Sequence, residues 1–207
     1  MPLSLKDEVL DAFKNAKSEN RRIAALLAIL TRECRLRGVS SPALVGGGAL
    51  QLYTGGQYRS NDLDIVGDRE TLDSILLEIG FKKTNERSIY WSEELNILID
   101  WQGGCISGEG AAQRAFRIRS PNGPLYLISL TDLILDRLNA AKWWKDATSA
   151  EWTETMLHLA QDGTFEIDWE LLRNHAEKAD VLDMLDSILQ QMKSSADEED
   201  DDGNAPR

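Results

Sequence analysis

The chain has 207 residues, 42% of them hydrophobic and 28% charged, which suits a globular protein with a real core and excludes a fibrous or wholly disordered chain. Its 23 basic residues face 35 acidic ones for a net charge of −12, with six negative charges in the run Asp197–Asp202, a balance that speaks against nucleic-acid binding by bulk charge. No apolar run nears the ~20 residues of a membrane span, the N-terminus lacks a signal-peptide layout, and two distant cysteines fit no metal spacing, so the expected setting is the cytoplasm, off the membrane.

Residues 5–17 and 20–37 carry apolar side chains at helical spacing, with Gly38 as the second stop. The second helix holds Arg21, Arg22, Arg32, Arg35 and Arg37, which read equally well as a solvated face or a binding patch. "ALVG" is a short strand, the run Gly46–Gly48 a turn, and "ALQLY" a helix that starts from the turn. "DLDIVG" is a strand, residues 68–81 an amphipathic helix stopped by Gly80, and "IYWSEELNILIDWQGG" a strand interrupted near Glu93. "AFRIRS" and "LYLIS" add strands around a Pro121–Pro124 turn; from "LTDLILDRLNAAKWWKD" onward the chain is helical, over 149–161, 168–178 and 180–193. The fold class expected is α+β, a small mixed sheet flanked by helices. The division expected is a core over 1–128, a helical bundle over 129–193 and a disordered acidic tail over 194–207.

Strand alternation puts Asp62 and Asp64 on one face, where like charges a few ångströms apart favour a cation between them. Hard divalent ions such as Mg²⁺ suit oxygen donors. Asp100 ends "NILID" and completes a three-carboxylate cluster if that strand neighbours "DLDIV". Glycines between a strand and a helix let backbone N–H groups approach an anion closely. A metal held by carboxylates beside a phosphate cradle is equipment for nucleotidyl transfer. His158 and His175 have no partnering ligand in the sequence and read as ordinary helix residues.

The segment "VGGGALQLYTGGQYRSNDLDIV" resembles the signature of the DNA polymerase β-type nucleotidyltransferase superfamily, and within it the bacterial branch of toxin-type and abortive-infection nucleotidyltransferases. The likeness spans about Ala43 to Trp101 and extends faintly to "KWWKD". By that resemblance Gly46, Gly47 and Gly48 hold the triphosphate of an NTP, with Arg59 nearby. Asp62, Asp64 and Asp100 bind two Mg²⁺ ions, and Asp100 also helps deprotonate the acceptor hydroxyl. Lys145, with Lys142 as a second candidate, contacts phosphate, and Asp146 orients it. The resemblance implies transfer of an NMP to RNA (tRNA included), protein or a small molecule, with a cognate antitoxin as partner. The alternative is a catalytically silent binding or antitoxin-like module of the same fold. Gly48 departs from the family pattern, which has Ser or Thr there.

Overall fold

A computed structural model describes the backbone of residues 3–202 except Arg87, and side chains as far as Ser194. The chain divides into two compact units, Met1–Ser129 and Leu130–Arg207.

The first unit is a seven-stranded mixed sheet with four helices. In chain order the elements are α1 (Leu5–Asn15), α2 (Glu19–Leu36), β1 (Ala43–Leu44), α3 (Gly46–Tyr53), β2 (Leu63–Val66), α4 (Arg69–Ile79), β3 (Lys82–Lys83), β4 (Ile89–Ser92), β5 (Ile97–Gly103), β6 (Phe116–Ser120) and β7 (Gly123–Leu127). The strand order is β3-β4-β5-β2-β1-β7-β6. β2 sits near the middle, parallel to β5 and antiparallel to β1. Its buried Leu63, Ile65 and Val66 explain that place, since a strand with so much apolar surface needs neighbours. α1, α2 and α4 pack on one another, α2 lies against β7, and α3 against β2.

Local chemistry sets the helix ends. Ser4, Ser18 and Asp68 each accept the N–H three residues on, and Gly80 at φ +107° closes α4 with bonds back to Leu76 and Leu77. The glycine run differs from its expected form: it is the first turn of α3 itself, not a turn ahead of it. The two-residue strand β3 escapes the sequence reading because it pairs with β4 through Lys82 and Lys83, whose side chains are exposed and give no apolar signal.

The far end of α3 is anchored by Tyr53, whose buried hydroxyl donates to the Ile128 carbonyl at 2.8 Å. Tyr53→Phe leaves that carbonyl short of a donor and should cost about 1 kcal/mol. Urea unfolding should show it as a lower midpoint at unchanged slope.

The second unit is four helices: α5 (Leu130–Trp143), α6 (Ala147–Gln161), α7 (Trp169–Lys178) and α8 (Leu182–Asp202), with α5 packed on α6 and α7. Helix α5 stops at Trp143, short of the "KWWKD" end expected for it. Lys145 takes a left-handed φ of +56°, and Asp146 starts the next helix as its N-cap. The backbone of α8 runs to Asp202, beyond the boundary expected at 193; residues 203–207 of the tail, and its side chains from 195, lie outside the described residues. Among the described residues no helix is long and apolar enough to cross a membrane.

Candidate active site

Two of the three expected carboxylates are joined by strand register. In the parallel pair β2–β5, Asp64 lies directly beside Asp100, while Leu63 and Ile99 pair toward the opposite, buried face. Asp100 stands inside β5 rather than at its end, because the strand continues through Trp101 and Gln102 to Gly103. Asp62 sits just before β2 and accepts from the Ser60 hydroxyl at 3.2 Å.

Gln102, two residues after Asp100 and so on the same strand face, belongs to the cluster. Its Nε2 donates to Asp64 Oδ1 at 2.7 Å and to Asp100 Oδ2 at 3.1 Å. The other oxygen of Asp100, Oδ1, is buried without a hydrogen-bond partner among the described residues. A buried carboxylate oxygen left bare is costly and calls for a donor or a cation.

The Asp64 carboxyl is pushed up to about 6, first by burial, then by the Asp62 charge, with Asp100 adding to it; the Gln102 amide and the Gly47 N–H pull the other way. Among the described residues no group of three or more His, Cys, Asp and Glu side chains is gathered closely enough to hold a metal ion. The donor chemistry nevertheless fits one, with three carboxylates and a bare buried oxygen on Asp100, while the Gln102 N–H groups stand where a cation would displace them. Asp62 is here held by Ser60.

The glycines earn their identities one by one. Gly46 has φ +55°, and a Cβ there would stand 2.2 Å from Asp64 Oδ2. A Cβ on Gly47 would stand 2.6 Å from Ser60 Oγ. Gly48 faces the other way: its Cβ would meet Leu44 at 3.1 Å and Leu63 at 3.2 Å. A side chain at 48 would press on these two core leucines, which would have to give by a few tenths of an ångström. Gly46 and Gly47 together bring the first turn of α3 onto the carboxylate cluster, where the Gly47 N–H reaches Asp64.

A polar clamp holds the loop between α3 and β2. Gln51, 1% exposed, accepts from the Ser60 N–H at 2.9 Å and donates to Asn20 at 3.0 Å. One buried amide thus ties α3, the loop carrying Ser60 and Asp62, and the start of α2. Gln51 and Ser60 escape the sequence reading, although a lone Gln in the apolar run "ALQLY" was a readable signal; Gln102 was readable from alternation.

The remaining expected residues lie apart from this cluster or in the second unit. Arg59 is 78% exposed and pairs with Glu19 at 3.4 Å. Lys142 is bound within its own unit: its Nζ meets the Asp180 carbonyl and Asp183 Oδ1, which raises its pKa. The Asp146 carboxylate accepts from the Thr148 N–H at 3.1 Å and the Ser149 hydroxyl at 2.6 Å as the α6 cap. Lys145 is exposed.

The chain matches no family model and no curated protein. Among solved structures it is similar to an antigenic nucleotidyltransferase-like protein from Paracoccidioides brasiliensis, at 17% identity over 95% of this chain and 94% of that one, with a TM-score of 0.57. It is also similar to the antibiotic-resistance factor ANT(2″)-Ia in solution, at 14% identity, 88% and 98% coverage and a TM-score of 0.46. For ANT(2″)-Ia in complex with adenylyl-2″-tobramycin the values are 17% identity, 76% and 93% coverage and 0.46. Identities this low speak to fold and not to substrate. On the first of these likenesses, the chain has a nucleotidyltransferase-like fold.

Proposed function

We propose that the chain is a Mg²⁺-dependent nucleotidyltransferase that moves an NMP from an NTP to a hydroxyl acceptor. The observation that carries this reading is the register pairing of Asp64 with Asp100 beside the glycine turn of α3, with one buried oxygen of Asp100 left bare. Asp62, Asp64 and Asp100 would hold the two Mg²⁺ ions, which neutralise phosphate charge and favour the ionised acceptor. Gly46 and Gly47 let backbone approach the phosphates closely, and Gly48 packs the turn onto the core. The acceptor oxygen bonds to the α-phosphorus, pyrophosphate leaves with the electron pair of the broken bond, and Asp100 takes the hydroxyl proton. The cytoplasmic setting and a toxin role with a cognate antitoxin stay part of this reading. The test incubates the protein with each α-labelled NTP, Mg²⁺ and cell extract. Label in an RNA, protein or small-molecule fraction, lost in Asp62→Ala, supports the reading; undiminished label in that variant sinks it.

A catalytically silent binding or antitoxin-like module is the reading that Gln102 favours, because its amide already bridges Asp64 and Asp100. The two readings part on metal. The folded-state pKa of Asp64, about 6, lies above its ordinary 3.8, so the proton binds the folded chain more tightly. Without metal, this stabilisation is fully present below pH 3.8 and is lost as pH rises through about 6. Mg²⁺ needs the ionised form. The Mg²⁺-induced rise in Tm should therefore be present at pH 7.5 and fade as pH falls through about 6. A thermal-shift series across pH checks it, and no rise at any pH favours the silent module.

A further inference from the structure

Beside Asp62 opens a cavity of about 350 Å³, bounded by the loop carrying Arg59, the start of α2 and the β4–β5 turn. Its lining is mixed: the nearly buried Phe13 and Ile23, 7% and 3% exposed, and Leu98 contribute apolar surface beside a larger polar part. Its rim carries two guanidinium groups. That of Arg22 has no hydrogen-bond or ion-pair partner among the described residues. That of Arg59 lies in the open, 3.4 Å from Glu19. Glu19 and Asp62 are the acids of the lining. Glu19 is matched to Arg59, and Asp62 belongs to the carboxylate cluster, which leaves Arg22 as the unmatched charge. In a chain of net charge −12, an unmatched cation at a cavity mouth selects for an anion.

We propose that this cavity is the acceptor subsite, and that the acceptor is a small organic phosphate with a free hydroxyl, of sugar-phosphate or mononucleotide size. This rests on the nucleotidyltransferase reading above. The volume falls in the range of small-molecule sites, about 300–1,000 Å³. The apolar part of the lining, Phe13, Ile23 and Leu98, takes the carbon skeleton or base, and the arginines take the phosphate in the fork geometry that suits them. Asp62 lines the cavity, so a ligand hydroxyl set against it lies beside the carboxylate cluster. A polycationic acceptor would meet Arg22 unfavourably, and a neutral one would leave it unused. In the transfer the acceptor oxygen bonds to the α-phosphorus of the NTP, the bond from that phosphorus to the α–β bridging oxygen breaks, pyrophosphate departs with the electron pair, and the hydroxyl proton passes to Asp100. The Gln51 clamp holds the Arg59–Asp62 wall in place without ligand.

Calorimetry on the full chain, without NTP or metal, tests the site with ribose 5-phosphate and AMP as probes, and with ribose and tobramycin as neutral and cationic comparators. Both phosphates should bind, the comparators should not, and Arg22→Gln and Arg59→Gln should each weaken phosphate binding about tenfold, as loss of a charged hydrogen bond does. Binding of ribose as tight as that of ribose 5-phosphate, or no effect of either variant, overturns the proposal. A short oligoribonucleotide that binds more tightly than AMP through Arg22 overturns the small-molecule assignment. In the labelled transfer assay Arg22→Gln should raise KM for the phosphate acceptor and leave KM for the NTP unchanged. A wild-type chain that transfers no label defeats the nucleotidyltransferase reading, while the calorimetry still decides the cavity.

Discussion

Asp64→Asn should lose transfer activity by about a thousandfold or more and, at the same time, make the metal-free protein more stable at pH 7. The two effects have one origin. Asp64 is crowded by burial and by the charges of Asp62 and Asp100, so its ionised form is disfavoured until a cation arrives. A rise from 3.8 to about 6 converts to roughly 3 kcal/mol at about 1.4 kcal/mol per unit. Solvent at the partly exposed edge of the site, and the weaker bond that a neutral amide accepts from Gly47, bring the expected gain to about 1–2 kcal/mol. The activity loss follows because metal assistance is worth several kcal/mol in the transition state, and each 1.4 kcal/mol or so is tenfold in rate. Urea unfolding with and without Mg²⁺ and the label-transfer assay read the two halves separately. A variant that still transfers label removes Asp64 from the chemistry. A variant less stable than wild type at pH 7 without metal removes the electrostatic account.

The same pairing of cost and use marks how far the sequence could be read. Asp62 and Asp64 were legible because alternation along a strand is fixed by covalent geometry, and Asp100 because its strand shows the same alternation. Register was not legible: that Asp64 lies beside Asp100 depends on which strands neighbour each other, and nothing local to "NILID" encodes β2 as its partner. The glycine run reads as a turn ahead of the helix rather than as its first turn because glycine is a poor helix former, and propensity gives way where close approach to Asp64 demands it. Gln102 was within reach of the alternation argument but carries no charge to draw attention. The Gln51–Asn20–Ser60 clamp joins three segments through one amide, and a single sequence shows such a network only as an unexplained polar residue in an apolar run.

Gly46→Ala should be among the most damaging single-methyl changes in the chain, and its cost separates into two measurable parts. The backbone at φ +55° is strained for any residue with a Cβ, at about 1 kcal/mol. The methyl would also stand 2.2 Å from Asp64 Oδ2, and that carboxylate is held by Gln102 and Gly47, so relief means giving up those bonds. Together the two should destabilise by about 2–4 kcal/mol and remove transfer, since Asp64 is driven from its place. Gly55→Ala isolates the first part: its φ is +63° with nothing within 4 Å of a Cβ, so it should cost about 1 kcal/mol and leave the site alone. Asp64→Ala isolates the second, for it removes the carboxylate and leaves only the residue 64 Cβ at 3.3 Å, so Gly46→Ala should there cost little more than about 1 kcal/mol. The double-mutant cycle between positions 46 and 64 should therefore give a coupling of about 1–3 kcal/mol. A coupling near zero would mean that Gly46 is required by its backbone alone, and that the close approach of the glycine turn to the carboxylate cluster, on which the proposed site depends, is not what fixes glycine at that position.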